Sequence, residues 1–356
     1  VKRIVMTGGG TSGHVTPNIA LFPVLKRLGF EIHYIGTRNG IERGLIEREG
    51  IPYHIISAGK LRRYLDMKNV YDAFRVMKGF VEAVSIIRKI KPNVVFSKGG
   101  FVSSPVVWAA SVNRIPVIIH ESDYTPGLAN KISMPFAKKI CYTFPETKQY
   151  IPDDKGILTG IPVRESLLKG SREKGLGICG FIENKPVIVV IGGSQGSKVL
   201  NDSIRHNLDF ILKKFQVCHI CGRGGVDKSL EKVRGYKQFE YINEDLSHIF
   251  AMADLVVSRA GATTIFELLA LRKPNLLIPL SKKASRGDQI LNANSFKKQG
   301  FSHVLMEEDL NDENFLNSLY KAYSNRRTMI EAMRSSDISN GIEKIIEVIQ
   351  WATENR

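Results

Sequence analysis

Near the amino terminus the run MTGGGTSGH sets Gly8, Gly10 and Gly13 in the spacing G-x-G-x-x-G and ends on His14. Two more glycine loops follow apolar runs in the same way, KGGFVSS over 98–104 and GGSQGS over 192–197. Consecutive glycines let main-chain N–H groups converge, and a following helix start adds partial positive charge, so each loop suits a phosphate. Two loops fall in one half of the chain and one in the other. This predicts two different phosphorylated ligands facing each other across a cleft. A dinucleotide site would also need an acid about 20 residues beyond the first loop, at the end of strand two. That strand ends YIGTRNG (34–40), which offers no carboxylate; Arg38 is the one residue there suited to a 2′-phosphate. Anion binding without a nicotinamide cofactor is the better fit.

Further on, SRAGATTIFELLALRKPNLLIPL (258–280) carries a loop glycine, Gly261, into a helix with Glu267 one to two turns in. A carboxylate so placed can accept hydrogen bonds from a ribose diol; its ordinary role is as an acid favoured by the helix dipole. SRGDQILNA (285–293) is a second polar helix start and presents Gln289 to sugar hydroxyls.

The elements that must position these loops alternate. RIVMT (3–7), EIHYIG (31–36), VVFSKGG (94–100) and VIIHE (117–121) read as strands. Between them lie amphipathic stretches, the clearest over 70–90, where Val70, Phe74, Met77, Val81, Val84 and Ile87 recur at helical spacing and predict one apolar face. The pattern restarts at KPVIVVIGGSQGSKVLN (185–201), followed by VCHICG (217–222), FEYI (239–242), DLVVSRAG (254–261) and NLLIP (275–279) as strands. Strand–helix alternation implies parallel strands with right-handed crossovers. The expectation is two doubly wound α/β domains, 1–163 and 164–337, with a helical tail over 338–356 whose domain is not readable.

At 356 residues, two cores are expected. The formal charge is +16, concentrated at the start: residues 1–163 carry 23 Lys and Arg against 12 Asp and Glu, residues 164–356 carry 28 against 23. Anionic partners follow. Four cysteines do not make a disulfide framework, and Cys218 and Cys221 read as strand packing rather than a metal or redox pair. The first strand begins at once, without a signal-peptide pattern, and no apolar run reaches the length of a membrane span.

Taken in order, GGGTSGHVTPNIALFPVL, GGFVSSPVVWAA, HESDYTPGLANK, GIPVR, GGSQGSKVLN, SRAGATTIFELLA and DQILNA resemble the MurG family, from about residue 2 to about residue 350. Those bacterial enzymes add N-acetylglucosamine (GlcNAc) to the lipid-linked muramyl-pentapeptide of peptidoglycan synthesis. The resemblance implies a GT-B fold of two Rossmann-like domains facing across a cleft, UDP-GlcNAc as donor, lipid I as acceptor, and lipid II as product with inversion at C1. It implies that Ser194, with Gln195 in the same turn, meets the donor diphosphate and that Ile242 contacts uracil through its backbone. Ala262, Thr263, Thr264, Ile265, Phe266 and Glu267 would line the donor site, with Glu267 on the ribose. Gln289 would meet the GlcNAc hydroxyls, and Arg164 would lie on the donor side. Thr11, Ser12 and Gly13 would reach the donor sugar from the other domain, while Gly10, Gly99 and Gly100 would hold the acceptor diphosphate.

This sequence departs from the common family pattern at Asp123 and Ile161, where many members have Asn. Ile161 reads as packing. Asp123 matters more, because a carboxylate accepts a proton and an amide does not. His14 and Asp123 are the two candidate general bases for the acceptor hydroxyl. No D-x-D metal motif sits at a plausible place, so no cofactor is required, and a divalent ion is left open. The acceptor's lipid tail calls for docking on the anionic cytoplasmic leaflet of the cell membrane. The stretch 60–80, with Lys60, Arg62 and Arg63 beside Leu61, Tyr64, Leu65, Met67, Phe74 and Phe80, is the expected patch. A UDP-GlcNAc epimerase of the same fold is the nearest rival. Nucleic acid binding finds no RRM, KH or helix-turn-helix signature.

Overall fold

The computed structural model describes residues 1–59, 67–193, 196–282, 287–338 and 340–355, with backbone alone for 67–73. The chain divides into two compact units, Val1–Arg164 with Asn340–Arg356, and Glu165–Ser339. In the first unit, β1 (Lys2–Thr7), α1 (Thr16–Arg27), β2 (Phe30–Thr37), α2 (Ile41–Arg48) and β3 (Tyr53–Ile56) lead to the long α3 (Met67–Ile90). Then come β4 (Val94–Ser97), α4 (Ser103–Val112), β5 (Val117–Glu121), α5 (Leu128–Ser133), β6 (Lys139–Tyr142) and β7 (Gly156–Leu158). The second unit runs α6 (Arg172–Cys179), β8 (Val187–Ile191), α7 (Lys198–His206), α8 (Leu208–Lys214), β9 (Gln216–Ile220), β10 (Tyr236–Phe239) and α9 (Leu246–Met252). It continues with β11 (Leu255–Ser258), α10 (Ala262–Ala270), β12 (Asn275–Leu277), α11 (Asp288–Lys298), β13 (His303–Val304), α12 (Asp312–Ser324) and α13 (Arg326–Arg334); α14 (Ile342–Glu354) returns to the first unit.

The first sheet has the order β3-β2-β1-β4-β5-β6-β7 and the second β10-β9-β8-β11-β12-β13, with every pairing parallel. A parallel sheet covered on both faces needs apolar strands on both faces. Accordingly Ile4, Val5, Met6, Val94, Val95, Phe96, Val187, Val189 and Val190 are fully buried. In such sheets ligands bind beyond the carboxyl ends of the strands, where the order reverses. That point lies between β1 and β4 in one unit and between β8 and β11 in the other.

α3 departs from the single apolar face expected of it. Val76, Ala83, Ile87 and Ile90 are buried, with Phe80 and Val84 packed on the same cluster. Phe74, Met77 and Val81, at 72%, 57% and 63% exposure, point to solvent. The helix carries two apolar stripes, and the expected face mixes them: Val84 and Ile87 lie on the inner one, Phe74, Met77 and Val81 on the outer. Phe80 is thereby removed from the expected docking patch; Lys60, Leu61, Arg62, Arg63, Tyr64 and Leu65 lie outside the described residues, and Met67 is described by its backbone only. The strand expected at 239–242 is also displaced. β10 ends at Phe239, paired with the last residue of β9, Ile220, so Glu240–Ile242 leave the sheet at its carboxyl edge. α14 packs Ile345, Ile346, Val348, Ile349 and Ala352 into the core beneath β1 and β4, and Lys138 and Lys139 sit over the Trp351 ring.

Candidate active-site loops of the two units

In the first unit the loops after β1 and β4 are adjacent because Thr7 pairs with Ser97. The Lys98 N–H donates to the Thr7 carbonyl at 2.9 Å and the Gly9 N–H to the Gly99 carbonyl at 3.4 Å. Gly99 and Gly100 take φ of 91° and 85°, and a Cβ on Gly100 would lie 2.1 Å from the Gly9 carbonyl oxygen. Only glycine allows that left-handed approach. Thr11 precedes a short 3-10 turn, Ser12–His14, whose first bond runs from the His14 N–H to the Thr11 carbonyl. His14 is half-buried, with Nδ1 3.2 Å from the Lys98 carbonyl. A carbonyl only accepts, so Nδ1 carries the proton and Nε2 the lone pair.

Asp123 follows β5. Its N–H donates to Glu121 Oε1 at 3.0 Å, while Glu121 Oε2 accepts from the Gly127 N–H and from Asn130 Nδ2. Glu121 is 3% exposed, and burial pushes its carboxyl upward. Sequence reading passed over it, since an acid at a strand end gives no periodic signal. Glu42 was passed over as well, since an acid in the first turn of a helix is ordinarily explained by the helix dipole. Fully buried, it accepts from the Thr37 hydroxyl at 2.6 Å, the Thr37 N–H at 3.1 Å and the Gly10 N–H at 3.3 Å. Of the three glycines expected at an acceptor diphosphate, Gly10 thus has its amide bonded to a carboxylate, and Gly99 and Gly100 adjoin it with positive φ. Beside them opens a cavity of about 760 Å³ lined by Gly10, Thr37, Arg38, Arg75, Lys78 and Phe101, among others.

In the second unit the loops after β8 and β11 are neighbours in the same sense, with Ile191 paired to Ser258. Ser194 and Gln195 lie outside the described residues. Around them, a Cβ on Gly192 would lie 2.6 Å from the Ser197 nitrogen, and one on Gly196 2.3 Å from the Cys221 carbonyl oxygen. Gly192 and Gly196 are thus each packed against backbone. Ser197 caps α7, its Oγ accepting from the Leu200 N–H. The same hydroxyl accepts Arg259 Nε at 3.1 Å and Nη2 at 2.7 Å. Arg259, nearly buried, donates as well to the Ile278 carbonyl and pairs with Glu307. It therefore ties the GGSQGS loop to the carboxyl ends of β11 and β12, a role that no sequence motif announced.

α10 begins at Ala262 after Gly261. Ile265 and Phe266 are fully buried, Phe266 edge-on against Phe296. Their side chains belong to the core, which leaves their backbone to line a ligand. Thr263, Thr264 and Glu267 are half-buried, and Ala262 is buried. Gln289, second in α11, accepts at Oε1 from the Ala260 and Leu280 N–H groups at 3.3 and 3.1 Å; its amide nitrogen is the donor it has to offer a sugar. Ile242 lies half-buried beyond β10. Arg164 is the last residue of the first unit, not the first of the second. Its Nε is buried without a hydrogen-bond partner among the described residues.

Two parallel sheets, each opening a glycine loop and a helix start at its switch point, are two Rossmann-like units, and the chain's relatives place them in the GT-B class of glycosyltransferases. Residues 4–142 match the glycosyltransferase family 28 N-terminal domain and residues 187–349 its C-terminal domain. The structure of Acinetobacter baumannii MurG is similar over 98% of this chain and 99% of that one, with a TM-score of 0.76 and 25% identity. The calicheamicin glycosyltransferase CalG4, at 13% identity and a TM-score of 0.70, shares the fold. A Clostridium tetani protein named UDP-N-acetylglucosamine–N-acetylmuramyl-(pentapeptide) pyrophosphoryl-undecaprenol N-acetylglucosamine transferase is 60% identical over 349 residues, 98% of each chain. A Clostridium botulinum protein of the same name is 57% identical over 354 residues, covering 99% of this chain and all of that one. The chain belongs to this MurG family of family 28 transferases.

Proposed function

We infer that this chain transfers GlcNAc from UDP-GlcNAc to the C4 hydroxyl of MurNAc in lipid I, giving lipid II with inversion at C1. The observation that carries the reading is the near-full-length match to enzymes of that name. The epimerase alternative is not favoured, because those relatives are named as transferases.

Two physical problems define the mechanism. As UDP leaves, its diphosphate gains charge, and preorganised N–H dipoles aimed at that charge are worth roughly 10²–10³ in rate per donor. The 192–197 loop, with Ser194 and Gln195, and the amino terminus of α10 are assigned that task, with Arg164 supplying a cation. Glu267 accepts from the ribose diol, the Ile242 backbone meets uracil, and the Gln289 amide meets the sugar. Thr11, Ser12 and Gly13 contact GlcNAc from the first unit. The acceptor hydroxyl must also lose its proton. The fixed Nε2 lone pair of His14 and the carboxylate of Asp123 are the two groups suited to take it, a contribution of roughly 10²–10⁴. Gly99 and Gly100 cradle the acceptor diphosphate beside the basic cavity.

The acceptor's lipid places the enzyme peripherally on the cytoplasmic face of the cell membrane. Among the described residues no helix is long and apolar enough to cross a membrane. The outer stripe of α3, Phe74, Met77 and Val81 with Lys78 between them, is the docking element we assign. Near an anionic leaflet each lysine or arginine contributes about 1 kcal/mol. The test is incubation with labelled UDP-GlcNAc and a lipid I analogue. Label must pass to the lipid; sugar turnover that needs no acceptor would refute the reading.

A further inference from the structure

Lys98 opens the second glycine loop, yet its side chain is 1% exposed, the most buried lysine among the described residues. A buried ammonium costs several kcal/mol unless it is paired, and an apolar residue of similar shape often serves packing as well or better. Stability alone therefore does not account for a lysine here. Its contacts point elsewhere. Nζ donates to Ser122 Oγ, within the segment that presents Asp123. Its carbonyl accepts from His14 Nδ1 at 3.2 Å. One residue thus touches both chain segments that carry the candidate bases. Among the described residues, the charged and titratable groups acting on the ammonium are Glu121, Asp123 and Cys141, with His120 on β5 feeling its charge. Burial pushes the lysine downward, and Glu121 and Asp123 oppose that.

We propose that Lys98 is a positioning residue of the acceptor site, its buried ammonium holding the Ser122–Asp123 segment in place and supplying the positive charge against which the proton-accepting groups there are set. The proposal rests on the transferase reading. Two effects follow. The Lys98–Ser122 bond fixes the direction of Asp123. The cation also disfavours protonation of its neighbours, carboxylate or imidazole, so the site keeps its base form to lower pH.

The test is Lys98→Met, which keeps the stem and removes the charge, with Ser122→Ala as companion. In Lys98→Met the melting temperature should fall, because the buried Glu121 carboxylate loses the cation beside it, while binding of uridine diphosphate to the folded variant should be unchanged. Turnover should fall, and the acid limb of the kcat profile should move to higher pH, by about 1–3 pH units if the pair acts as ordinary close charges do. Ser122→Ala loses the tether and keeps the charge, so kcat should fall with the acid limb in place. A fall in Lys98→Met without movement of the limb would reduce Lys98 to a structural residue. Wild-type kcat in Ser122→Ala would overturn the positioning role even if Lys98→Met does not fold. Absence of label transfer by the wild-type chain would instead refute the transferase reading.

Discussion

Ser197 is the residue on which the donor loop is most directly fastened, and its removal has a calculable effect. The hydroxyl makes the α7 cap and receives two bonds from the Arg259 guanidinium. A Ser→Ala cap loss costs about 0.5–2 kcal/mol, whereas Ser→Gly at the same position costs a few tenths. Hydrogen bonds to a charged partner add about 1.5–3 kcal/mol. Arg259 retains the Ile278 carbonyl and Glu307, so its charge is not left unpaired. Ser197→Ala should therefore lose roughly 2–5 kcal/mol and Ser197→Gly roughly 1.5–3 kcal/mol. At about 2–4 °C per kcal/mol for a unit of this size, the glycine variant should melt roughly 3–12 °C lower and the alanine variant lower still. The assay is calorimetry, read in the transition that uridine diphosphate raises. Both variants should also show a raised KM for UDP-GlcNAc. A glycine variant with unchanged melting and donor KM would refute the claim that Arg259 fastens this loop.

Substituting Glu267 by Gln should raise the donor KM about 10- to 100-fold through the lost charged hydrogen bond, with little change in lipid I affinity, measured by steady-state kinetics. His14→Ala and Asp123→Asn should each lower kcat more than donor affinity; whichever is the base should cost about 10²–10⁴ in turnover. Near-normal turnover of His14→Ala would exclude His14. Replacing Phe74, Met77 and Val81 by serine should weaken co-sedimentation with anionic vesicles while leaving melting intact, since these side chains are exposed. His219 bonds the Tyr236 hydroxyl and Asn201 in the core, and burial pushes it down to about 3. The unfolded chain binds that proton first, so the second unit should lose stability as pH falls from about 6.5 toward that value, by at most about 1.4 kcal/mol per pH unit. His219→Gln should flatten that slope in pH-dependent denaturant titrations.

What the sequence made legible was what has a period or a glycine. The central strands β1, β4, β5, β8, β9, β11 and β12 are buried on both faces over most of their length, so their apolar runs stand out. β3, β7 and β13 are edge strands and β6 lies beside β7, and YHII or KICY gives no comparable run. The loops were found because φ values near 90° at Gly10, Gly99, Gly100 and Gly193 demand glycine. Contacts between distant segments left no trace. Glu42 closing on Gly10, Arg259 reaching Ser197 and Lys98 meeting Ser122 join segments from 24 to 62 residues apart. Nor could spacing distinguish the two apolar stripes of α3, because either satisfies a helical period. A helix that starts at a glycine loop also turns a face to the core, and there the Ile265 and Phe266 side chains lie.

A crystal structure with uridine diphosphate tests the central claim most directly, that the second unit holds the nucleotide and the first does not. The diphosphate should rest on the 192–197 loop and the start of α10, with the ribose on Glu267 and uracil at the Ile242 backbone. The Gly10 amide should stay bonded to Glu42. Nucleotide bound instead at Gly8–His14, with the Glu42 carboxylate displaced, would contradict the account.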